Sequence, residues 1–366
     1  MIENYYKGRK VLVTGNTGFK GSWLTIWLLK MGAEVVGISK DIPTSPSLFE
    51  ELDLESKIKH YYADVRDLER VKKIINDELP DYIFHLAAQA IVSTSYNDPV
   101  ETVATNVIGT MNILEVLRSF IKPCVAIMIT SDKCYDNIEW IWGYRETDAL
   151  GGKDVYSGSK GAAELIIKSY YHSFFKNNHP VRLAVGRAGN VIGGGDWAQD
   201  RIVVDCMLAW KEDKTVEIRS PKATRPWQHV LEPLSGYLLL GAKTFDEQSL
   251  HGDTFNFGPK AEQNRTVIEL LSDMRKFWST SEDSIPFKIT ANVPFHEAGL
   301  LKLNCDKALF NLKWESNLEY HETIRLVSIW YYTFYKERVD MYDFTLAQIS
   351  EYENIAKERK RTWINQ

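Results

Sequence analysis

A glycine-rich turn between a short strand and a helix constrains the fold of this chain more than any other feature. Residues 10–14 (Lys-Val-Leu-Val-Thr) have the composition of a buried strand, and residues 24–29 begin an apolar helical pattern. Between them lies the spacing G-x-x-G-x-x-G, formed by Gly15, Gly18 and Gly21. In this setting the glycines permit a tight turn, a close approach by a pyrophosphate and tight packing of the helix on the strand. The turn therefore predicts a dinucleotide site formed by Gly15, Asn16, Thr17, Gly18, Phe19, Lys20 and Gly21.

Strand and helix patterns alternate as far as residue 187, and then the alternation stops. Further strands are predicted at residues 34–39, 59–63, 81–86, 125–129 and 181–187. Such alternation is typical of an α/β fold. We predict a Rossmann-type doubly wound parallel sheet with a smaller C-terminal α/β substrate-binding domain. The dinucleotide-binding domain is placed at residues 1–188 and the smaller domain at residues 189–366, with segments near 225–260 returning to the first domain.

Composition argues against several other classes of protein. The net charge is −5, which gives no support for a nucleic-acid partner. The four cysteines stand far apart and form no C-x-x-C pair, so neither a metal site nor a disulfide framework is predicted. No apolar run approaches 18 residues, and the N-terminus lacks a signal-peptide pattern. We therefore expect no membrane partner and a cytoplasmic location.

A second pair of motifs supplies the candidate chemistry. Residues 130–135 (Thr-Ser-Asp-Lys-Cys-Tyr) follow the apolar run 125–129, so Ser131, Asp132 and Lys133 should lie at the carboxyl end of a strand, where open α/β sheets place their ligands. Tyr156 and Lys160 are four residues apart and share one helical face. An ammonium close to a phenol is expected to lower the pKa of the tyrosine, which could then take a proton from an alcohol while hydride leaves its carbon.

Other positions complete the predicted cofactor site. The ends of the third and fourth strands provide Asp64, Val65, Leu86, Ala87 and Ala88, and the following helix provides Asn106. Asp64 is placed to reach an adenine amino group or to cap the next helix. His85 is expected to point into the fold. At the end of the second strand, Asp41 could bind the ribose of NAD, whereas Lys40 equally suits the 2′-phosphate of NADP, so this position leaves the choice open.

Together these motifs resemble the extended short-chain dehydrogenase/reductase family over nearly the whole chain. Within it, six segments are similar to the subgroup of CDP-glucose dehydratases. They are residues 18–23, 130–135, 143–148, 189–197, 225–230 and 296–300. The resemblance implies NAD as cofactor and CDP-D-glucose as substrate. It also implies hydride removal from C4 of the hexose, loss of water across C5–C6 and return of hydride to C6.

The resemblance also implies a role for each residue of the site. Tyr156 would remove the C4 hydroxyl proton, Ser131 would hydrogen-bond the C4 oxygen, and Lys160 would hold the nicotinamide ribose. Asp132 would be the acid for the departing hydroxyl. Lys133 stands where dTDP-sugar dehydratases carry glutamate, and it would act at C5 either as a neutral base or as a cation that stabilises the enolate. The predicted substrate ligands are Arg225, a guanidinium suited to gripping phosphate, with Asn190 and Arg201.

The same motifs have to be weighed against alternative functions. Another sugar-nucleotide 4,6-dehydratase or a 4-epimerase of the family would use the same tyrosine and lysine, but an epimerase does not need Asp132 and Lys133. A dinucleotide sensor without catalysis would not need Tyr156, Lys160 and Ser131 together.

Residues 99–120 and 157–175 are apolar over more than one helical face. A helix that covers a sheet needs one apolar stripe, so the additional apolar positions predict either a homodimer or homotetramer built through these helices or their burial under the smaller domain.

Overall fold

The computed structural model of the chain describes residues 2–218, 220–260, 262–278, 287–289 and 300–365. A seven-stranded sheet forms its centre, and every strand pair in it is parallel. In chain order its strands are β1 (Lys10–Thr14), β2 (Glu34–Ser39), β3 (Lys59–Tyr62), β4 (Tyr82–His85), β5 (Cys124–Ile129), β6 (Val181–Arg187) and β11 (Thr254–Asn256). Their order across the sheet is β11-β6-β5-β4-β1-β2-β3. The predicted Rossmann-type doubly wound sheet is confirmed.

Helices connect the strands and continue into the C-terminal part. In chain order they are α1 (Glu3–Tyr6), α2 (Phe19–Lys30), α3 (Leu48–Glu51), α4 (Leu68–Glu78), α5 (Val92–Asn97), α6 (Pro99–Val103), α7 (Gly109–Arg118), α8 (Val155–Tyr170), α9 (Ile202–Trp210), α10 (Leu231–Asp246), α11 (Val267–Arg275), α12 (Tyr320–Lys336), α13 (Met341–Glu358) and α14 (Thr362–Asn365). None of the helices in the described ranges is long and apolar enough to cross a membrane.

The sheet separates two hydrophobic clusters because successive side chains on a strand point to opposite faces. On β1, Val11 and Val13 belong to one cluster, whereas Leu12 belongs to the other. The first cluster continues through α2 and α10 into the C-terminal helices, where Trp330 and Trp363 are buried. The second cluster is covered by α4, α7 and α8. Both faces are therefore covered, as apolar strands of a parallel sheet require.

Short strand pairs lie outside the large sheet. They are β7 (Val191–Ile192) with β10 (Gln228–His229), β9 (Thr224–Pro226) with β12 (Asn264–Thr266), and β8 (Val216–Ile218) with β13 (Phe287–Ile289). After β10 the chain returns to the large sheet. Helix α10 packs on β5 and β6, and β11 extends the sheet beside β6.

The six strands predicted from the sequence agree with the structure to within one residue at each end, whereas β11 and the short strands outside the large sheet were not predicted. The helix predicted at residues 99–120 is interrupted by a π-helical segment, Ala104–Ile108, and ends at Arg118. A further π-helical segment, Tyr171–Phe175, extends α8. Helix α5 was not predicted, because its sequence, Val-Ser-Thr-Ser-Tyr-Asn, shows no apolar periodicity.

Candidate active site

One large cleft opens at the carboxyl ends of the central strands. Its volume is about 1180 Å³, which exceeds the usual size of a site for one small ligand, about 300–1,000 Å³. Among the predicted site residues, those that line it are Gly15, Thr17, Gly18, Phe19, Lys20, Gly21, Asp64, Val65, Leu86, Ala87, Ala88, Ser131, Asp132, Lys133, Tyr156, Lys160, Asn190, Arg201 and Arg225. The fold thus brings the two motif groups into one space. Of the motif at residues 296–300, all but Leu300 lies outside the described residues.

The glycine turn has the geometry that its spacing predicts. Gly15 has φ +74°, and a Cβ on it would lie 2.8 Å from the backbone nitrogen of Ala87. A Cβ on Gly21 would lie 2.0 Å from the carbonyl oxygen of Gly15, so α2 packs against the turn only with glycine there. Gly18 is the N-cap of α2, and a Cβ on it would meet nothing closer than 3.4 Å. The N-terminus of α2 is therefore open toward the cleft, as an anion site requires.

Two predicted cofactor residues, Asn16 and Asn106, do not line the cleft. Asn16 is fully buried, accepts a hydrogen bond from Ser39 Oγ at 2.8 Å and lies 3.1 Å from His60 Nδ1. Asn106 accepts from the backbone nitrogen of Gln89 at 2.8 Å and donates to Ser159 Oγ at 2.8 Å. Asn16 therefore links side chains of β2 and β3, whereas Asn106 holds the backbone at Gln89 and links it to α8.

A charged cluster borders the cleft near the ends of β2 and β3. Arg66 donates to both carboxylate oxygens of Asp64 at 3.0 Å and also pairs with Glu101, and Lys40 Nζ lies 3.4 Å from Glu101. The hydrogen bond from Arg66 is the main cause that lowers the pKa of Asp64. Asp67, and not Asp64, caps α4. Both cations are therefore already paired with carboxylates at this edge.

The strand-end motif forms a compact turn. Ser131 and Asp132 are buried, and Lys133 is half-buried. Ser131 Oγ donates to Asp132 Oδ1 at 3.0 Å, and Asn190 Nδ2 donates to Asp132 Oδ2 at 3.4 Å. The turn thus presents a hydroxyl, a carboxylate and an ammonium to one part of the cleft.

Tyr156 and Lys160 lie on the same face of α8, as predicted, but the predicted change in the tyrosine pKa is wrong. Burial raises the pKa of Tyr156 to about 12, although a hydrogen bond with Ser131 opposes the shift. Lys160 Nζ lies 5.9 Å from the centroid of the Tyr156 ring, and burial lowers the pKa of Lys160 itself to about 8. Desolvation disfavours the charged form of each group and is the main cause of both shifts.

Further positive groups face the same region. Desolvation, together with the charge of Arg201, lowers the pKa of Lys20 to about 8, whereas Asp132 opposes the shift. Arg201 Nε lies 3.3 Å from Asp196 Oδ2. Arg225 lies on β9 and donates to the Thr224 carbonyl at 2.9 Å. These three predicted residues surround the cleft with cationic groups suited to phosphate oxygens.

His85 has the expected structural role, and one buried ion pair was not foreseen. His85 is buried between Thr14 Oγ1 at 2.8 Å and Thr110 Oγ1 at 3.1 Å, so it points into the fold as predicted. Behind the strand-end turn, Arg187 and Glu164 form a buried pair. The spacing of Glu164 from Lys160 places both on one face of α8, but no sequence signal indicates Arg187 as its partner.

Comparison with known proteins extends these findings. A family model described as GDP-mannose 4,6 dehydratase matches residues 12–327. The CDP-glucose 4,6-dehydratase of Salmonella typhimurium is 42% identical over 354 residues, which cover 96% of this chain and 98% of that protein.

Two solved structures show the same fold at low identity. One is a dTDP-glucose 4,6-dehydratase from Streptomyces venezuelae with NAD and TYD bound (TM-score 0.75, 19% identity, 88% of this chain and 96% of that chain). The other is a UDP-glucose 4-epimerase from Thermotoga maritima with UDP-glucose (TM-score 0.76, 22% identity, 89% of this chain and 99% of that chain). With the family model and the Salmonella relative, they confirm the resemblance drawn from the motifs: the chain belongs to the GDP-mannose 4,6 dehydratase family.

Proposed function

We propose that this chain converts CDP-D-glucose into CDP-4-dehydro-6-deoxy-D-glucose and water. The observation that carries the proposal is the 42% identity, over nearly the full length of both chains, with the Salmonella CDP-glucose 4,6-dehydratase. The cleft supports it, because the groups that such a reaction needs all line one space: Ser131, Asp132, Lys133, Tyr156 and Lys160. Deoxysugar biosynthesis for surface polysaccharide is the expected use of the product.

NAD is the cofactor that we assign to the glycine-turn end of the cleft. The open N-terminus of α2 at Gly18 suits its pyrophosphate. At the adenosine edge the carboxylates of Asp64 and Glu101 already engage Arg66 and Lys40, which favours a ribose hydroxyl over the added charge of a 2′-phosphate. When bound, NAD supplies a reversible hydride acceptor, so that hydride taken from C4 of the sugar can be returned to C6 without net redox change.

Each step of the proposed reaction is assigned to a residue of the cleft. Tyr156 takes the proton of the C4 hydroxyl, while Ser131, within hydrogen-bond reach of Tyr156, holds the C4 oxygen. The resulting ketone acidifies the proton at C5, where Lys133 acts. Asp132 protonates the C6 hydroxyl as it leaves as water. Lys160 orients the nicotinamide ribose, and a positive charge there stabilises the phenolate of Tyr156.

The diphosphate of the substrate is assigned to the arginines and to Asn190. Arg225, Arg201 and Asn190 all line the cleft, and Asn190 lies beside Asp132. A guanidinium can grip two phosphate oxygens at once. This arrangement would place the nucleotide against residues from the range 189–366, which we propose as the substrate-binding domain beside a dinucleotide-binding domain at 1–188.

A homodimer or homotetramer is the proposed assembly. Large apolar side chains on α6, on α8 and on the π-helical segments that follow each of them are exposed in the single chain: Val100, Val103, Ile108, Leu165 and Phe174. Such a surface suits a self-complementary interface. We also retain the cytoplasm as the expected location. Cys124, Cys134, Cys206 and Cys305 are free thiols, which fits a reducing compartment.

Incubation with CDP-glucose and NAD tests the proposal directly. The expected product is a 4-ketosugar nucleotide that absorbs in alkali, and the Tyr156→Phe variant should form none above background. UDP-glucose incubated in parallel tests the epimerase alternative. Formation of UDP-galactose without any ketone from CDP-glucose would replace the proposed dehydratase with an epimerase.

A further inference from the structure

A buried ion pair lies directly behind the strand-end turn that carries Ser131, Asp132 and Lys133. Arg187 ends β6, and Glu164 is one turn after Lys160 on α8. The two side chains meet in a bidentate pair, with Arg187 Nε 2.8 Å from Glu164 Oε1 and Arg187 Nη2 2.9 Å from Oε2. Each side chain is 3% exposed. A charge pair this deeply buried needs further hydrogen bonds to offset desolvation.

Those further bonds go to the two residues that flank the turn. On the side before it, Thr130 Oγ1 donates to Glu164 Oε1. On the side after it, Arg187 Nη1 donates to the hydroxyl of Tyr135 at 2.6 Å, and that hydroxyl donates to Asn256 Oδ1 at 2.8 Å. The ion pair is thus hydrogen-bonded to the residues on both sides of the segment 131–134.

We propose that Glu164 and Arg187 are positioning residues that fix the turn 131–134, and with it the hydroxyl, carboxylate and ammonium of the reaction centre. This inference rests on the proposed function for its kinetic consequence, but not for its structural one. The hydrogen bonds that the ion pair makes within the described part of the chain include none to Ser131, Asp132, Lys133, Tyr156 or Lys160, although the charge of Glu164 opposes the lowering of the pKa of Lys160. The ion pair acts through Thr130 and Tyr135.

Backbone hydrogen bonds also hold the turn. The backbone nitrogen of Cys134 donates to the Ser131 carbonyl at 3.2 Å, that of Asp132 to the Ala188 carbonyl at 3.4 Å, and that of Gly151 to the Cys134 carbonyl at 2.9 Å. The clamp, which we define as the ion pair with Thr130 and Tyr135, adds side-chain hydrogen bonds on both sides of the turn. Reacting groups must stay close to their productive positions, since a misplacement of about 1 Å can cost about 10²-fold in rate. Ala188 directly follows Arg187, so the same guanidinium anchors both strand ends that meet at Asp132.

The clamp is better tested by variants of Thr130 and Tyr135, the two residues that tie the ion pair to the turn, than by variants of the ion pair. Removing Glu164 or Arg187 alone would strand a buried charge and endanger folding. Tyr135→Phe and Thr130→Val each remove one hydroxyl and keep the shape of the side chain. Tyr6→Phe is the matched control, because Tyr6 is also fully buried and also donates one hydrogen bond, to the Leu238 carbonyl at 2.6 Å, away from the cleft.

Two measurements are made on each variant with bound NAD. The first is amide hydrogen exchange of a peptide covering residues 130–135, read by mass spectrometry, which needs no substrate. We expect exchange there to be about tenfold faster in Tyr135→Phe and Thr130→Val than in the wild type. The second is turnover of CDP-glucose, for which we expect kcat to fall by about 10–100-fold while KM changes by less than about threefold.

The control and the exchange data decide between the outcomes. Faster exchange confined to this peptide, with Tyr6→Phe unchanged in it, supports the clamp. Unchanged exchange in both tie variants, or an equal increase in Tyr6→Phe, overturns it. If the wild type forms no ketone from CDP-glucose, the proposed function fails, and the exchange result still decides whether the clamp exists.

Discussion

The carboxylate of Asp132 occupies the space that a side chain on Gly189 would need. A Cβ placed on Gly189 would come within 1.9 Å of Asp132 Oδ2. Gly189 stands two residues after β6, next to Asn190, whose amide donates to the same oxygen. Glycine is needed here because two strand ends approach closely. Because Gly189 has no side chain, Asp132 can lie beside Asn190.

Gly189→Ala should therefore displace Asp132 and slow the loss of water. We expect kcat with CDP-glucose to fall by about 10²-fold, with reduced nicotinamide accumulating because oxidation at C4 proceeds while loss of water is slow. Absorbance of the enzyme-bound cofactor during a single turnover measures this accumulation. Gly158→Ala on α8 is the control, because a Cβ there meets nothing within 4 Å. Full activity of Gly189→Ala would contradict the assignment of Asp132 to the reaction centre.

Tyr156→Phe should block oxidation at C4 and leave cofactor binding intact. Loss of a positioned general base costs about 10²–10⁴-fold in rate. The measurement pairs single-turnover absorbance of reduced nicotinamide with titration of NAD by fluorescence. Tyr170→Phe, on the same helix but outside the cleft, should retain wild-type rates. Near-normal reduction of the cofactor by Tyr156→Phe would rule out its assignment as the base.

Stability should depend on pH through Lys160. Its pKa is about 8 in the folded chain and 10.5 when solvated. Between these values the unfolded chain binds a proton that the folded chain does not, so the free energy of unfolding rises with pH. Relative to Lys160→Met, the wild type should gain about 3 kcal/mol from pH 8 to pH 10.5. Urea unfolding at several pH values measures the difference, and a flat or falling difference would contradict the shifted pKa.

Assembly should be sensitive to one apolar face. Val100 on α6 is 77% exposed in the single chain. Burying aspartate in an apolar interface carries a large desolvation cost, so Val100→Asp should shift the particle mass to that of the monomer. Ile121→Asp is the matched control, since Ile121 is 88% exposed but lies after α7, outside the predicted interface. Light scattering that finds a monomer for the unchanged chain would refute the interface.

Six of the seven strands of the large sheet, all but β11, were predictable because their local apolar patterns agree with what a buried parallel sheet requires. The bounds of β1, β2 and β6 follow from continuous apolar runs, and the glycine turn specifies what lies between β1 and α2. Residues at strand ends could likewise be assigned to one cleft, since the carboxyl ends of parallel strands share one edge.

Features that depend on three-dimensional packing were not predictable. The raised pKa of Tyr156 reflects burial beneath segments far away in the sequence, and a spacing of four residues carries no information about desolvation. Asn16 and Asn106 fit the motif positions, but their side chains turn inward to satisfy neighbouring backbone and side-chain groups. The partnership of Glu164 with Arg187 joins a helix to a strand and leaves no local pattern.

Transfer of a deuterium label from C4 to C6 tests the proposed dehydration and the internal return of hydride. CDP-glucose deuterated at C4 is incubated with the enzyme and NAD in ordinary water, and the product is examined by NMR and mass spectrometry. We expect the deuterium at C6 of the same sugar and a proton from solvent at C5. Deuterium lost to solvent, or a product that keeps its C6 hydroxyl, would contradict the proposal.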